Sequence, residues 1–129
     1  MKIEGVITAL ITPFDSNGEL YEEGVRQLVE FQVKNGVNGL FVGGTYGCGP
    51  LMSVEQRKKA AEKILENAKG KLTVIVHVGA SSIDDALNLA KHAQDIGADA
   101  IASVPPFYYP YSEESVIDYY SKLVSAVSI

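Results

Sequence analysis

An α/β fold built on a parallel sheet is predicted by three features of this 129-residue sequence. Four short apolar runs alternate with four segments of helical periodicity, an order that calls for right-handed crossovers between parallel strands. The runs begin about 30 residues apart, the span of one strand–helix repeat. No linker rich in Pro, Gly or Ser interrupts them, so residues 1–129 are expected to form one domain. Two architectures satisfy the pattern: a small doubly wound open sheet, and part of a (βα)8 barrel. In either one, functional residues gather at the C-terminal ends of the strands.

The first strand is Gly5-Val6-Ile7-Thr8-Ala9-Leu10-Ile11, apolar at nearly every position and so expected to be covered on both faces. Thr12-Pro13-Phe14 ends it, and Asp15-Ser16-Asn17-Gly18 is a turn. A helix is predicted over about 22–35, with Val25, Leu28, Val29, Gln32 and Val33 inward and Gly36 as its stop. Leu40-Phe41-Val42 is a second buried strand, bounded by glycines. Ser53 and Gln56 make a capping box for a helix running to about Asn67, with Ala60, Ala61, Ile64, Leu65 and Ala68 as its apolar positions. The third strand covers 72–78 and ends at Gly79-Ala80-Ser81. Ser82 with Asp85 caps a helix bearing Ala86, Leu87, Leu89, Ala90, Ala93 and Ile96, closed by Gly97. Ala100-Ile101-Ala102-Ser103-Val104 is the fourth strand and 105–111 its loop. Ser112 caps a last helix that carries Val116, Ile117, Tyr120, Leu123, Val124 and Val127.

Two of the four strand ends carry chemistry. Gly43-Gly44-Thr45-Tyr46-Gly47-Cys48-Gly49-Pro50 is too rich in Gly and Pro for strand or helix, and it joins a strand end to a helix N-terminus. Such a junction suits an anion: glycines turn sharply and expose N–H groups, and the helix dipole favours negative charge. A tight connection with no ligand is the other reading. The loop lacks the Gly-Lys-Ser/Thr ending of a P-loop and is not read as nucleotide-binding. In the fourth loop, Tyr108, Tyr109 and Tyr111 crowd beside three prolines. A tyrosine hydroxyl held against another hydroxyl, such as Thr45, relays a proton; aromatic packing or a subunit contact is the alternative. His77 lies inside an apolar strand and reads as a satisfied core histidine. Cys48 sits in a Gly-rich loop near a helix start, but no histidine is near it in sequence and it reads as incidental. No residues have metal-ligand spacing.

Composition sets limits on partners. The chain is 47% hydrophobic and 21% charged with a net charge of −5, and its Lys and Arg form no run. That argues against nucleic acid or an anionic membrane as partner. Cys48 is the single cysteine, so no internal disulfide forms and a reducing compartment is expected. Met1-Lys2-Ile3-Glu4 leads into a segment too short and too broken for a signal peptide or membrane span, so a cytoplasmic location is expected.

The strand-end motifs, taken in order, resemble a known family. Gly5-Val6-Ile7-Thr8-Ala9-Leu10-Ile11-Thr12-Pro13-Phe14, Gly39-Leu40-Phe41-Val42-Gly43-Gly44-Thr45, His77-Val78-Gly79 and Val104-Pro105-Pro106-Phe107-Tyr108-Tyr109-Pro110 resemble the N-acetylneuraminate lyases. They also resemble their relatives, the dihydrodipicolinate synthases and other pyruvate-dependent class I aldolases. Phe107-Tyr108-Tyr109-Pro110-Tyr111-Ser112 is most similar to the lyase branch. The resemblance runs from Gly5 to the chain end. It implies a TIM barrel of which this chain covers about the first four βα units, a half-barrel. It also implies a homotetramer with no metal or organic cofactor. The implied substrates are small molecules: pyruvate and a 2-keto sugar acid such as sialic acid, cleaved reversibly to pyruvate and an aldehyde through a lysine Schiff base. By position, the resemblance assigns Gly44, Thr45 and Tyr46 to substrate binding. Thr45 stands where the first loop hydroxyl binds the pyruvyl carboxylate and joins a proton relay, and Tyr46 where a second hydroxyl residue usually stands. Tyr108 matches the relay tyrosine that reaches into a neighbouring subunit's site. Thr45 and Tyr108 are thus the candidate catalytic residues.

Two departures from the family pattern matter. The family usually reads Gly-Ser/Thr-Thr-Gly-Glu where this chain has Gly44-Thr45-Tyr46-Gly47-Cys48, so a large ring replaces a hydroxymethyl and a thiol replaces a carboxylate. The family's Schiff-base lysine lies on the sixth barrel strand and its catalytic tyrosine on the fifth, and a TIM barrel needs ~250 residues. Lys34, Lys58, Lys59, Lys63, Lys91 and Lys122 fall on predicted helices, Lys69 and Lys71 before a strand, and Lys2 is terminal. A Schiff-base lysine is therefore expected to be absent from these residues. Three alternatives stand beside a lyase-like aldolase: a noncatalytic half-barrel or assembly module, a dihydrodipicolinate synthase-like enzyme, and an open-sheet binder of anions.

Overall fold

The computed structural model describes residues 3–129. In chain order they form β1 (Ile7–Ala9), α1 (Glu22–Lys34), β2 (Gly39–Val42), α2 (Val54–Ala68), β3 (Thr73–His77), α3 (Ile83–Asp95), β4 (Ala100–Ala102) and α4 (Glu113–Ala126). The helix starts follow the local chemistry. Ser53 Oγ accepts from Gln56 N at 3.2 Å while Gln56 Oε1 accepts from Ser53 N at 2.9 Å, a complete capping box. Ser82 and Ser112 accept from the N–H groups of Asp85 and Ser115.

All strand pairs are parallel, and the sheet order is β1-β2-β3-β4. That order decides between the two architectures. A doubly wound sheet reverses its strand order partway and carries helices on both faces. Here the order follows the chain, and right-handed crossovers then place every helix on one face. Each helix packs on the next, α1 on α2, α2 on α3 and α3 on α4, as in the wall of a barrel.

The register separates the two faces of that wall. Leu40 pairs with Val74 and Val42 with Val76. These four, with Leu10 and Val78, are buried beneath Val25, Val29, Ala61, Ile64, Leu65, Ala86, Leu89, Ala90 and Ala93 of the helices. On the other face Phe41 pairs with Ile75, which pairs with Ala100, and all three are only half-buried. The expectation that the first strand is covered on both faces does not hold: Ile11 is 52% exposed and Ala9 is exposed too. The reason is that a fully apolar strand matches two buried faces, and the described helices cover one of them.

The flanking helices differ from expectation for the same reason. Ile117 and Val124 of α4, expected inward, are 57% and 72% exposed, while Tyr119 and Leu123 are buried. Val33 of α1 is likewise exposed. α1 and α4 are the two outermost helices of the row, so each buries a narrower stripe than α2 or α3.

These surfaces lead to a prediction about assembly. β1 and β4 each have one paired edge, and Ile11 at the sheet, Phe31 and Val33 of α1, and Ile117 and Val124 of α4 are exposed. Unpaired edges and contiguous apolar surface drive association. The chain is expected to sediment as an oligomer at micromolar concentration; a stable, sharply melting monomer would show that the open face tolerates water.

Candidate functional site

At the C-terminal edge of β2 the chain folds back on itself. Gly43 turns it with φ at 72°, in the left-handed region that favours glycine. Gly49 then returns against Gly43, so close that a Cβ there would strike its carbonyl group, with the carbonyl carbon at 2.7 Å. Gly49 N donates to Gly44 O at 3.0 Å and Cys48 N to Thr45 O at 3.1 Å. The expectation that Gly and Pro exclude helix is modified here, because Gly49–Leu51 forms a single 3-10 turn. One such turn tolerates Pro50 at its start, where no N–H is needed. From the end of the first strand, Thr12 Oγ1 donates to Gly47 O at 2.7 Å and ties the loop down from below. Among the described residues no acceptor meets the N–H groups of Thr45, Tyr46 and Gly47. Successive free N–H groups on a tight loop form a concavity for an anion.

The site residues expected from sequence fall in two places. Gly44 is buried in the turn and Thr45 is exposed at its tip. Thr45 lines a cleft of about 380 Å³ with Pro50, His77, Val104, Pro105, Pro106 and Phe107. Tyr46 and Tyr108 are 75% and 86% exposed and do not line it. Tyr108 meets Tyr109 edge-on with ring centroids 5.0 Å apart. Its φ of 93° is a strained conformation for an L-residue, of the kind that costs about 1–3 kcal/mol and concentrates at functional sites. Among the described residues no hydrogen bond joins the Thr45 and Tyr108 hydroxyls.

Under the cleft lies a group of side chains that sequence reasoning did not assemble. Arg57, in the first turn of α2, is buried; its Nη1 donates to Gly79 O at 3.0 Å and its Nη2 to His77 O at 2.7 Å. Nη2 also stands 3.3 Å from His77 Nδ1, and Nε has no partner among the described residues. Burial pulls the guanidinium below its ordinary pKa, while Tyr119 and Asp85 act in the opposite direction. His77 is only 5% exposed, yet its ring reaches the cleft. Burial first, then the charge of Arg57, pushes its pKa below 6.5, against a smaller opposing effect of the Gly43 backbone.

Above them, α4 fastens the third and fourth loops together. Tyr119 Oη accepts from Ala80 N at 3.3 Å and lies 3.2 Å from Ser103 Oγ, while Tyr120 Oη donates to Ser103 O at 3.0 Å. Ser81 Oγ donates to Phe107 O at 3.1 Å. Tyr119 was not among the residues expected inward, though one signal points to it: it stands four positions before Leu123 on one helix face. Arg57 carries no such signal. Its partners lie 20 and 22 residues away, and its own neighbours in sequence are polar.

No lysine of the described residues stands at the C-terminal end of a strand. Lys58 meets Glu55 at 3.3 Å, Lys63 meets Glu66 at 3.1 Å and Lys122 meets Asp118 at 2.6 Å. The hydrogen bond that Lys63 Nζ donates to Glu66 holds the ammonium above its ordinary pKa, with the nearby charge of Glu22 adding to it. Lys58 and Lys63 are half-buried along α2, and the other described lysines are exposed. Lys2 lies outside the described residues. Among the described residues no cluster of His, Cys, Asp or Glu is grouped to hold a metal ion, and no helix is long and apolar enough to cross a membrane.

Comparison with known proteins matches the chain, over residues 2–129, to the dihydrodipicolinate synthetase family. An N-acetylneuraminate lyase of Salmonella paratyphi B is 41% identical over 124 residues, which cover 96% of this chain and 42% of the lyase. The sialic acid aldolase of Ruminococcus gnavus superposes with a TM-score of 0.91 at 40% identity, over 95% of this chain and 40% of that one. A prophage protein of E. coli K12 belonging to the dihydrodipicolinic acid synthase family, solved in complex with pyruvate, superposes with a TM-score of 0.93 at 30% identity. The match covers 95% of this chain and 41% of that protein. The chain thus spans less than half the length of these relatives.

Proposed function

This chain belongs to the dihydrodipicolinate synthetase family, and on that premise we propose that its βα units supply the carboxylate-binding half of an N-acetylneuraminate lyase-like aldolase site. The reaction is the reversible cleavage of a 2-keto sugar acid such as sialic acid. A lysine from outside these residues condenses with the keto group and releases water. The bond between the third and fourth carbons then breaks to free the aldehyde, and hydrolysis of the imine releases pyruvate. The observation that carries this reading is the 43–50 loop: three unsatisfied N–H groups beside the Thr45 hydroxyl, at a strand end, above a cleft large enough for a small acid.

In this reading the N–H groups of Thr45, Tyr46 and Gly47, on the turn that Gly44 opens, hold the carboxylate, and Thr45 Oγ1 completes the cradle and hands on a proton. Tyr108 stands out from its loop on a strained backbone, a posture suited to reaching a neighbouring subunit of a homo-oligomer. The lone free thiol and the mild negative charge suit the cytoplasm. The uncovered sheet face favours a second reading, in which the chain is a noncatalytic assembly module.

Calorimetric titration with pyruvate separates these readings in a barrel completed with the C-terminal half of the Ruminococcus gnavus aldolase. Thr45→Val is expected to weaken binding about tenfold, the loss of one hydrogen bond to a charged ligand. Tyr46→Thr is expected to tighten it several-fold by restoring a short hydroxyl beside the free N–H groups, and Tyr46→Phe to leave it unchanged. Binding indifferent to Thr45→Val would favour the assembly module, and weakening on Tyr46→Thr would show that the ring serves the site.

A further inference from the structure

We propose that Arg57 and His77 form a positioning pair that holds the 103–112 loop over the Thr45 cleft, with the His77 ring neutral and its Nε2 acting as hydrogen-bond acceptor. The inference deepens the aldolase reading, because the loop so held is the one that carries Tyr108.

The starting point is Val104. Its N–H donates to His77 Nε2 at 3.2 Å. Pro105 and Pro106 follow, and neither has an N–H to give. Val104 is therefore the last backbone donor before the loop crosses the cleft, and its acceptor is a side chain rather than a strand. A neutral imidazole accepts at one nitrogen only. Two donors nevertheless face this ring, Val104 N–H at Nε2 and Arg57 Nη2 at 3.3 Å from Nδ1. The Arg57 group already has a carbonyl partner in His77 O at 2.7 Å, whereas Val104 N–H has the ring nitrogen alone. The tautomer that satisfies Val104 N–H leaves Nε2 bare and puts the proton on Nδ1. In that form the ring ties the start of the 103–112 loop to the end of β3.

Arg57 contributes by geometry and by charge. Its fork clamps the carbonyls of His77 and Gly79, which fixes the strand end that bears the ring. Its charge opposes a second cation beside it. Of the elements packed around the ring, α2 supplies this one charge, while Tyr119 of α4 and Asp85 of α3 act on Arg57. Phe41, with its ring centroid 6.0 Å away, and Thr45 across the cleft do not titrate with it. Protonating the ring would place two cations together and turn Nε2 into a donor, so Val104 would lose its acceptor and the loop its anchor.

The full 129-residue chain, labelled with nitrogen-15, tests this by magnetic resonance without any ligand. At neutral pH the His77 signals are expected to show Nε2 unprotonated and Nδ1 protonated. Amide exchange at Val104, corrected for its intrinsic rate, is expected to quicken about tenfold in His77→Phe. His77→Gln, whose amide oxygen stands near the position of Nε2, is expected to keep the native rate, and Val76 to stay unchanged in both. In the native chain the Val104 protection should fall as acid titrates His77, and Arg57→Met should move that loss to higher pH. A protonated Nε2 at neutral pH, or a Val104 rate unmoved by His77→Phe, would overturn the proposal. Should His77→Phe fail to fold, the native tautomer and its pH course decide the matter. Absence of pyruvate binding would count against the proposed function alone, since pyruvate takes no part in these measurements.

Discussion

Incubated with pyruvate and borohydride, the 129-residue chain is expected to gain no stoichiometric pyruvyl group. An imine forms only from an unprotonated amine, and a lysine of ordinary pKa ~10.4 is unprotonated in about one molecule in 2,500 at pH 7. Burial in an apolar site lifts that fraction by disfavouring the ammonium form. No lysine of the described residues is buried. Lys58, Lys63 and Lys122 hold carboxylates at their ammonium groups, and the partners of Lys63 stabilise its charge further. None stands at the strand ends where Thr45 and the free N–H groups lie. Intact-mass measurement after reduction distinguishes the outcomes. The native chain should show only scattered low-level labelling, and the same chain completed by a partner half-barrel bearing a buried lysine should show one adduct per site. A single-site adduct on this chain alone would mean that one of its lysines is placed and desolvated for the chemistry.

Gly49→Ala is expected to unlatch the carboxylate cradle and to lower the chain's stability by about 1–3 kcal/mol, the range for forcing a methyl group into close-packed space. The new methyl would meet the Gly43 carbonyl group, whose carbon would be 2.7 Å away. Neither side can yield easily. Gly43 is committed to a left-handed turn, and Gly47 is held by the buried bond from Thr12 at 2.7 Å. The loop must therefore open, breaking the bond from Gly49 N to Gly44 O and scattering the N–H groups it had aligned. Urea unfolding should show a lower midpoint with an unchanged slope, and pyruvate should no longer bind the completed barrel. An unchanged midpoint would show that the 43–50 loop adapts without cost.

Much of the site could be found by reading along the chain. The 43–50 loop announces itself by composition, since its four glycines and a proline end the strand and keep any long helix from starting there. Thr45 follows from its position at the end of an apolar run. The motifs around these residues also led to the family that comparison then showed. The placement of Tyr46 and Tyr108 outside the Thr45 cleft was not legible, because the direction of a loop side chain depends on the backbone angles of its neighbours. Tyr108 owes its outward direction to a positive φ that no residue-type preference would assign to tyrosine.

The sequence by itself determined the strand–helix alternation, the starts of α2, α3 and α4 at Ser53, Ser82 and Ser112, and the glycine-rich turn after β2. Each of these depends on residues within a few positions of one another, where capping, periodicity and turn chemistry act. Only the tertiary structure decided that the four strands line up in chain order with their helices on one side. Apolar runs alone are the same in an open sheet and in a barrel wall, and strand order is a matter of which distant edges pair. It likewise decided that Arg57 lies buried against His77 and Gly79 and that Ile11, Ile117 and Val124 remain exposed. Burial belongs to the neighbours that surround a residue in space, and a side chain's own polarity records only its tolerance for that burial.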